Sequence, residues 1–182
     1  MDAPSGLMHQ SGTIDRFTER CGTLVAWLMV PLLATVAYEV VARYLFGAPT
    51  SWAYETIYML YAALFMLGAA YALRIGAHIR TDFLWEKWSV RTRAAIETFA
   101  YLAFFFPGMA LLLVAGTEAA WSAFIIDERS AETVWFPPLW PLKAVLPLSA
   151  LLLLVQGVSE VAKSVHAWRS GEEPGREPAV RR

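Results

Sequence analysis

The chain has 182 residues, of which 57% are hydrophobic and only 17% are charged, and its mean hydropathy is +0.44. Soluble domains carry about 25% charged and about 45–50% apolar residues, so this composition excludes an ordinary soluble domain. The formal net charge of −1 says little by itself, because the charges lie outside a few long apolar runs. The single cysteine, Cys21, excludes an internal disulfide and a cysteine-based metal cluster within one chain.

Four apolar runs divide the chain. None contains Asp, Glu, Lys or Arg, and they cover residues 21–38, 56–73, 98–117 and 144–159. Each run with its flanks approaches the roughly 20 residues that a helix needs to cross a bilayer. We therefore predict an all-α integral membrane protein with four transmembrane helices, at about 22–46, 53–74, 95–120 and 142–165. These spans belong to a membrane domain at 16–168, between a flexible N-terminus at 1–15 and a disordered tail at 169–182.

The basic residues are distributed unevenly across the ends of these spans. Twelve of the fifteen precede span one, lie between spans two and three, or follow span four; the other three are Arg43, Arg129 and Lys143. The positive-inside rule therefore predicts that both termini are cytoplasmic, an N-in/C-in topology. This topology accounts for the basic residues without nucleic acid as a partner.

The link between spans two and three, RIGAHIRTDFLWEKW (residues 74–88), concentrates charges and tryptophans. His78 and Asp82 are four residues apart, which would place both on one face of a helix and raises the possibility of an acid–base or metal site. A zinc site needs more ligands than this pair supplies. We favour a short amphipathic helix at the membrane interface, with His78 and Asp82 in a structural role.

The remaining histidines do not indicate chemistry either. Haem ligation in a four-helix membrane protein needs histidines at membrane depth, whereas His9, His78 and His166 lie in the leader, the inner link and the C-terminal end. The chain also lacks a glycine-rich phosphate loop. We expect neither a cofactor nor an enzymatic activity.

Span one carries an acid and a base one helical turn apart. Glu39 and Arg43 lie at i and i+4 near the predicted outer end, where each can neutralise the other. Ionisable groups at membrane depth suggest function by default. Two interpretations therefore stay open: a structural pair or subunit contact, and part of an ion or substrate pathway. Pro31, in the same span, predicts a kink.

The outer link between spans one and two is only GAPTSW (47–52). Thr50 or Ser51 can cap the next helix with a side-chain oxygen. Trp52 is expected at the membrane interface, where indole rings anchor. Glu55 is expected in the first helical turn, where its charge meets the positive end of the helix dipole.

The segment between spans three and four is the longest outward loop, residues 122–141. It contains several acids followed by an aromatic and proline block; the residues we single out are Asp127, Glu128, Glu132, Trp135 and Trp140. Prolines fix the backbone and tryptophans sit at the headgroup level. The loop is therefore expected to be either a rigid interfacial plug or a docking surface for a periplasmic protein.

These features together resemble a known family. The segments EVVARYLFGAPTSWAYE (39–55) and RIGAHIRTDFL (74–84), the later PPLWP (137–141) and Pro147 are similar to the small permease subunit of TRAP (tripartite ATP-independent periplasmic) transporters. The resemblance covers about residues 15–166. It rests on the order of degenerate patterns and on the four-span layout.

The resemblance implies a role in the bacterial inner membrane. In that family a large permease subunit carries a small organic acid, usually with sodium, and a periplasmic binding protein delivers it; the small subunit extends the scaffold and helps form the docking surface. No substrate residue is therefore transferred to this chain. Expected scaffold contacts are Glu39, Arg43, Trp52, Glu55, His78 and Asp82, and the expected docking loop contains the five residues singled out above. The alternative is a self-sufficient homodimeric exporter that uses Glu39.

Overall fold

A computed structural model describes residues 3–76 and 88–171, with side chains described from residue 12 onward. Its elements are α1 (Ala3–Ala26), α2 (Met29–Leu45), α3 (Ser51–Arg74), α4 (Val90–Ala100), a π-helical turn (Tyr101–Phe105), α5 (Phe106–Ile125) and α6 (Trp140–Ser170). Over these two described ranges the chain is helical and contains no β-strand beyond one isolated bridge.

Four helical stretches are long and apolar enough to cross a membrane: Gly12–Leu45, Ser51–Arg74, Val90–Ile125 and Trp140–Ser170. They confirm the prediction of an all-helical chain with four membrane-length helices. The N-in/C-in orientation stays a prediction, as do the points at which the membrane boundaries cross the helices. The predicted interfacial helix, with His78 and Asp82, falls on residues 77–87 and lies outside the described residues.

The first and last helices extend further than the predicted spans. α1 begins at Ala3, inside the segment that the sequence predicts to be flexible. α6 continues to Ser170 and ends at Gly171, which adopts the left-handed conformation at φ 73°. The N–H of Gly171 donates to the carbonyl of Ala167 at 2.9 Å, a common way for a helix to end. The rest of the predicted tail lies outside the described residues.

Ion pairs and loops define two ends of the antiparallel bundle. At the terminal end, where α1 begins and α6 ends, Lys163 lies 2.7 Å from Asp15. The loop end carries the link between α2 and α3 and the loop at 126–139. α6 contacts α1, α3, α4 and α5 and is therefore the central helix of the bundle.

Pro31 explains the break between α1 and α2. Its ring would clash with the carbonyl four residues earlier, that of Trp27, in a regular α-helix. The backbone instead tightens just before the proline, where the N–H of Trp27 donates to Leu24 at 3.2 Å and that of Leu28 donates to Val25 at 2.9 Å. The regular α-helix is thus interrupted at residues 27–28, a few residues before Pro31.

A second proline accounts for the π-helical turn. Pro107 is the second residue of α5 and the last residue of the FFFP segment at 104–107. The helix widens there, so that the N–H of Phe106 donates to the carbonyl of Tyr101, five residues back. The widened turn places Phe105 against Gly157 of α6, where a β-carbon would lie 2.5 Å from the Phe105 ring.

The interior of the bundle is made of small and polar residues. Its largest fully buried side chains are Gln156, Glu55, Ser149 and Ser159. Large apolar side chains such as Leu111 point outward instead. Close helix approach at small residues and bonded polar side chains are the features that hold helices together in lipid, where apolar burial gives little driving force.

Candidate functional site

Glu39 is the centre of a polar corner at the loop end. Its buried carboxylate accepts hydrogen bonds from Arg43, whose Nε lies 3.0 Å away and whose Nη2 contacts the same oxygen. Its other oxygen accepts from the backbone N–H of Thr50 at 3.1 Å and from the Thr50 hydroxyl. The i,i+4 pair read from the sequence is therefore present, and it also fixes the link between α2 and α3.

The start of α3 differs from the sequence-based prediction. Thr50 occupies the N-cap position with extended backbone, but neither it nor Ser51 makes a side-chain capping bond. The predicted side-chain cap is wrong because the Thr50 hydroxyl donates to Glu39 instead. Trp52 follows on the first turn and packs on Tyr38 of α2, with ring centroids 5.4 Å apart. These contacts bring the α2–α3 corner into one polar and aromatic cluster.

Glu55 lies deeper than expected. α3 begins at Ser51, so Glu55 is in the second turn rather than the first, and the prediction of a helix-dipole contact is wrong. Its side chain is buried, at 1% relative exposure. It accepts hydrogen bonds from the hydroxyls of Ser130 at 2.7 Å and Thr133 at 3.1 Å. Glu55 therefore ties the loop at 126–139 to the second membrane-length helix.

The loop at 126–139 is closed by its own backbone. The N–H of Ser130 donates to Pro137 and that of Leu139 donates to Glu128, each at 2.9 Å. The chain reverses at Asp127 and Phe136, which have φ values of 47° and 49°. These bonds, together with the Glu55 tether, indicate an ordered loop, as the prolines suggested.

The acids of the loop differ in how they are used. Asp127 lies 2.8 Å from Arg129, and Glu128 lies 2.6 Å from Lys143. Glu132 is exposed, and the described residues offer it no cationic partner. Its carboxyl group therefore lies at the loop surface.

Two predicted anchors flank this loop. Trp135 and Trp140 are both partly exposed. Trp140 also packs edge-on against Phe124 of α5, with ring centroids 5.7 Å apart. The loop surface thus combines aromatic side chains with the unpaired Glu132.

A second polar cluster, at the terminal end, was missed at the level of sequence. Lys163 lies 2.7 Å from Asp15 and 2.8 Å from Glu160. Gln156 donates to both acids, at 3.0 and 3.1 Å, and accepts from the Thr18 hydroxyl at 2.7 Å. The signal was the spacing of residues 156, 159, 160 and 163, which places a polar stripe on one face of α6.

The clusters suit structure and recognition better than chemistry. In the described ranges every buried side-chain nitrogen or oxygen has a hydrogen-bond partner. The same residues contain no group of three or more His, Cys, Asp or Glu that could hold a metal. The arrangement can therefore stabilise the bundle and present surfaces.

The fold and these clusters define a multi-pass helical membrane protein whose polar groups are bonded inside the bundle. The family profile described as "Tripartite ATP-independent periplasmic transporters, DctQ component" matches residues 32–167, more than half of the chain. The chain belongs to this family, the small component of TRAP transporters, as the resemblance indicated. Searches of curated proteins and of solved structures gave no match.

The matched region contains the loop-end features described above. Glu39, Thr50, Glu55 and the loop at 126–139 all fall within residues 32–167. The α6 half of the terminal cluster also lies inside the match, whereas Asp15 precedes it. Family membership identifies a transporter component rather than a class of enzymes.

Proposed function

We propose that this chain is the small membrane subunit of a TRAP transporter, packing on the large permease subunit as scaffold and helping to dock the periplasmic binding protein. The transporter would take up a small organic acid together with a cation such as sodium. The proposal rests on the interior of the bundle, in a chain that belongs to the TRAP family. Small side chains and polar groups with hydrogen-bond partners fill the described bundle. Such an interior supports a scaffold rather than a substrate path.

The proposed orientation places the loop end in the periplasm and both termini in the cytoplasm of a bacterial inner membrane. Twelve of fifteen basic residues support it through the positive-inside rule. The loop at 126–139 would then face the binding protein. Because Glu55 and the backbone bonds hold this loop, docking would not require much additional ordering of its backbone.

The contact with the large subunit is proposed at the α2–α3 corner. Arg43 keeps 52% of its side chain exposed while it pairs with Glu39, and Trp52 is partly exposed beside it. Both can therefore reach a neighbouring helix. Glu55 is too buried for direct contact and would act through the loop. His78 and Asp82 are retained as proposed contacts from the sequence alone.

The exporter alternative depends on Glu39 as an exchangeable carrier site. A carrier carboxylate must release its partners to bind a proton or cation in each cycle. Glu39 is held by Arg43 on one oxygen and by Thr50 on the other. This bonding favours a structural role and makes the scaffold the better-supported function.

Co-purification tests the proposal. The full chain, tagged, would be co-expressed with a large TRAP permease subunit from the same genome, and the complex isolated in mild detergent. A stable complex of defined stoichiometry is expected. Recovery of the chain alone, as a homodimer that excludes the large subunit, would support the exporter instead. An unrelated four-helix membrane protein that carries the same tag serves as the control for non-specific association.

A further inference from the structure

An apolar groove runs along the outside of the bundle near the terminal end. It lies between α4 with the following π-helical turn and the last part of α6, and its volume is about 480 Å³. Ala95, Phe99 and Leu102 line one wall, and Val165 and Trp168 line the other. The hydroxyl of Thr98, which also lines the groove, donates to the Ala94 carbonyl at 2.8 Å. The groove is therefore almost entirely hydrocarbon in character.

Two packed contacts hold the walls together. Ser164 of α6 donates to the carboxylate of Glu97 on α4 at 2.8 Å. Ala94 and Ala167 are buried where the two helices meet. Because these contacts fix one side of the helix pair, the groove on its other side is a built feature of the fold.

A basic hollow continues from the end of this groove. Its volume is about 310 Å³, and Arg91, Trp168 and Arg169 line it. Trp168 belongs to both spaces and so joins them. The Arg91 guanidinium lies beside Gly171, where a β-carbon would be 3.5 Å from Nε. The guanidinium therefore lies in van der Waals range of the residue that ends α6.

The two arginines of the hollow form no ion pair with the described part of the bundle. Arg74 and Lys163, at the same end, pair with Glu19 and Asp15. Neither Arg91 nor Arg169 has a carboxylate at ion-pair distance among the residues that the structure describes. Two guanidinium groups therefore face a shared hollow with their positive charge uncompensated there.

We propose that this groove and hollow bind one anionic phospholipid. An acyl chain would lie along Phe99, Leu102 and Val165, and the phosphate would contact Arg91 and Arg169. Guanidinium groups bind phosphate oxygens through paired, charge-assisted hydrogen bonds, and basic pockets between membrane helices recognise anionic headgroups. Trp168 sits at the junction, the position that indoles favour at a membrane interface. The charge of the hollow selects an anionic lipid over a zwitterionic one.

Native mass spectrometry of the full detergent-purified chain tests this site. Phosphatidylglycerol and phosphatidylcholine with the same acyl chains would be titrated in competition. We expect preferential retention of one phosphatidylglycerol, and about tenfold weaker retention in the double variant R91Q/R169Q, since each variant removes a charge-assisted contact. The matched control R16Q/R20Q removes two arginines from the same end and should keep the preference.

A second pair of variants tests the groove itself. Ala95→Trp fills the groove and leaves both arginines in the sequence, whereas Ala110→Trp adds the same side chain at an exposed position on α5 outside it. Ala95→Trp should lose the bound lipid and Ala110→Trp should retain it. Equal retention of both lipids by the native chain would overturn the proposal. So would an unchanged preference in R91Q/R169Q, or an equal loss in R16Q/R20Q.

Discussion

The carboxylate of Glu55 accepts a 2.7 Å hydrogen bond from the hydroxyl of Ser130, which lies 75 residues further along the chain. This bond joins the second membrane-length helix to the loop that precedes the last one. Thr133 adds a second hydroxyl to the same carboxylate oxygen. A single buried acid therefore determines how the loop sits on the bundle.

Replacing Glu55 should loosen the loop. Glu55→Ala leaves the buried Ser130 hydroxyl without its acceptor, at a cost of about 1–3 kcal/mol. Tryptic cleavage after Arg129 should become faster, and mass spectrometry of the fragments measures it. Glu55→Gln keeps an acceptor oxygen, so its cleavage rate should lie between those of the native chain and Glu55→Ala. Glu118→Ala, at an exposed acid of α5, is the control; equal cleavage in all variants would contradict the tether.

Arg43→Ala should weaken binding to the large subunit more than it lowers the folding stability of the chain itself. The Arg43 side chain is half exposed, and Thr50 still donates to Glu39 when Arg43 is removed, so losing the ion pair should cost about 1 kcal/mol. The proposed partner contact predicts a clear drop in co-purified large subunit at nearly unchanged thermal stability. Arg129→Ala, which removes an arginine of nearly equal exposure from its pair with the exposed Asp127, should leave the yield intact. Unchanged yield for Arg43→Ala would place the partner elsewhere.

Glu132→Lys should impair docking without disturbing the loop. Asp127 and Glu128 are paired within the chain, so reversing their charges also disrupts internal contacts. Glu132 offers the cleaner test. Transport in Glu132→Lys should fall when the binding protein is limiting and recover when it is saturating. The control Glu118→Lys carries the same charge change on α5, and matching behaviour of the two variants would argue against a docking role.

Gly157→Ala should destabilise the bundle at the π-helical turn. The added β-carbon would lie 2.5 Å from the Phe105 ring, and overpacking of this kind costs about 1–3 kcal/mol. Gly108→Ala meets no atom within 4 Å and should change the melting temperature little. Phe105→Leu should partly rescue Gly157→Ala. If Gly157→Ala has the melting temperature of the native chain, the contact between Phe105 and Gly157 is not tight.

Lys163→Met should be the most destabilising change at the terminal end. It leaves Asp15 and the buried Glu160 without their shared cation, and breaking a buried pair costs about 3–5 kcal/mol. Adding Asp15→Asn and Glu160→Gln removes the stranded charges and should restore much of the loss. Thermal unfolding in detergent measures both effects. If the triple variant is no more stable than Lys163→Met, the cluster is not held by charge.

Composition and residue spacing were sufficient to predict the four membrane-length helices and one side-chain ion pair. Four uncharged runs predict four membrane-length helices because a bilayer requires both length and apolar character. The Glu39–Arg43 pair follows from i,i+4 geometry within one helix. The interruption of the helix before Pro31 follows from the missing N–H and the ring of proline.

Contacts between segments far apart in the sequence could not be predicted from local patterns. Glu55 looked like a helix-start acid because its partners, Ser130 and Thr133, come from a loop whose path no local pattern specifies. Asp15 looked like part of a loose leader because its partners, Ser159 and Lys163, lie at least 144 residues away in a different helix. The Thr50 hydroxyl was assigned to a cap because its competing acceptor, Glu39, depends on how the corner folds.

Reconstitution into proteoliposomes tests the scaffold role most directly. Uptake of organic acids under a sodium gradient would be compared for the purified chain alone, for its complex with the large permease subunit, and for the complex with the binding protein. We predict uptake only when both partners are present. Movement of a cation or an organic acid across the membrane by the chain alone would contradict the scaffold role and support the exporter.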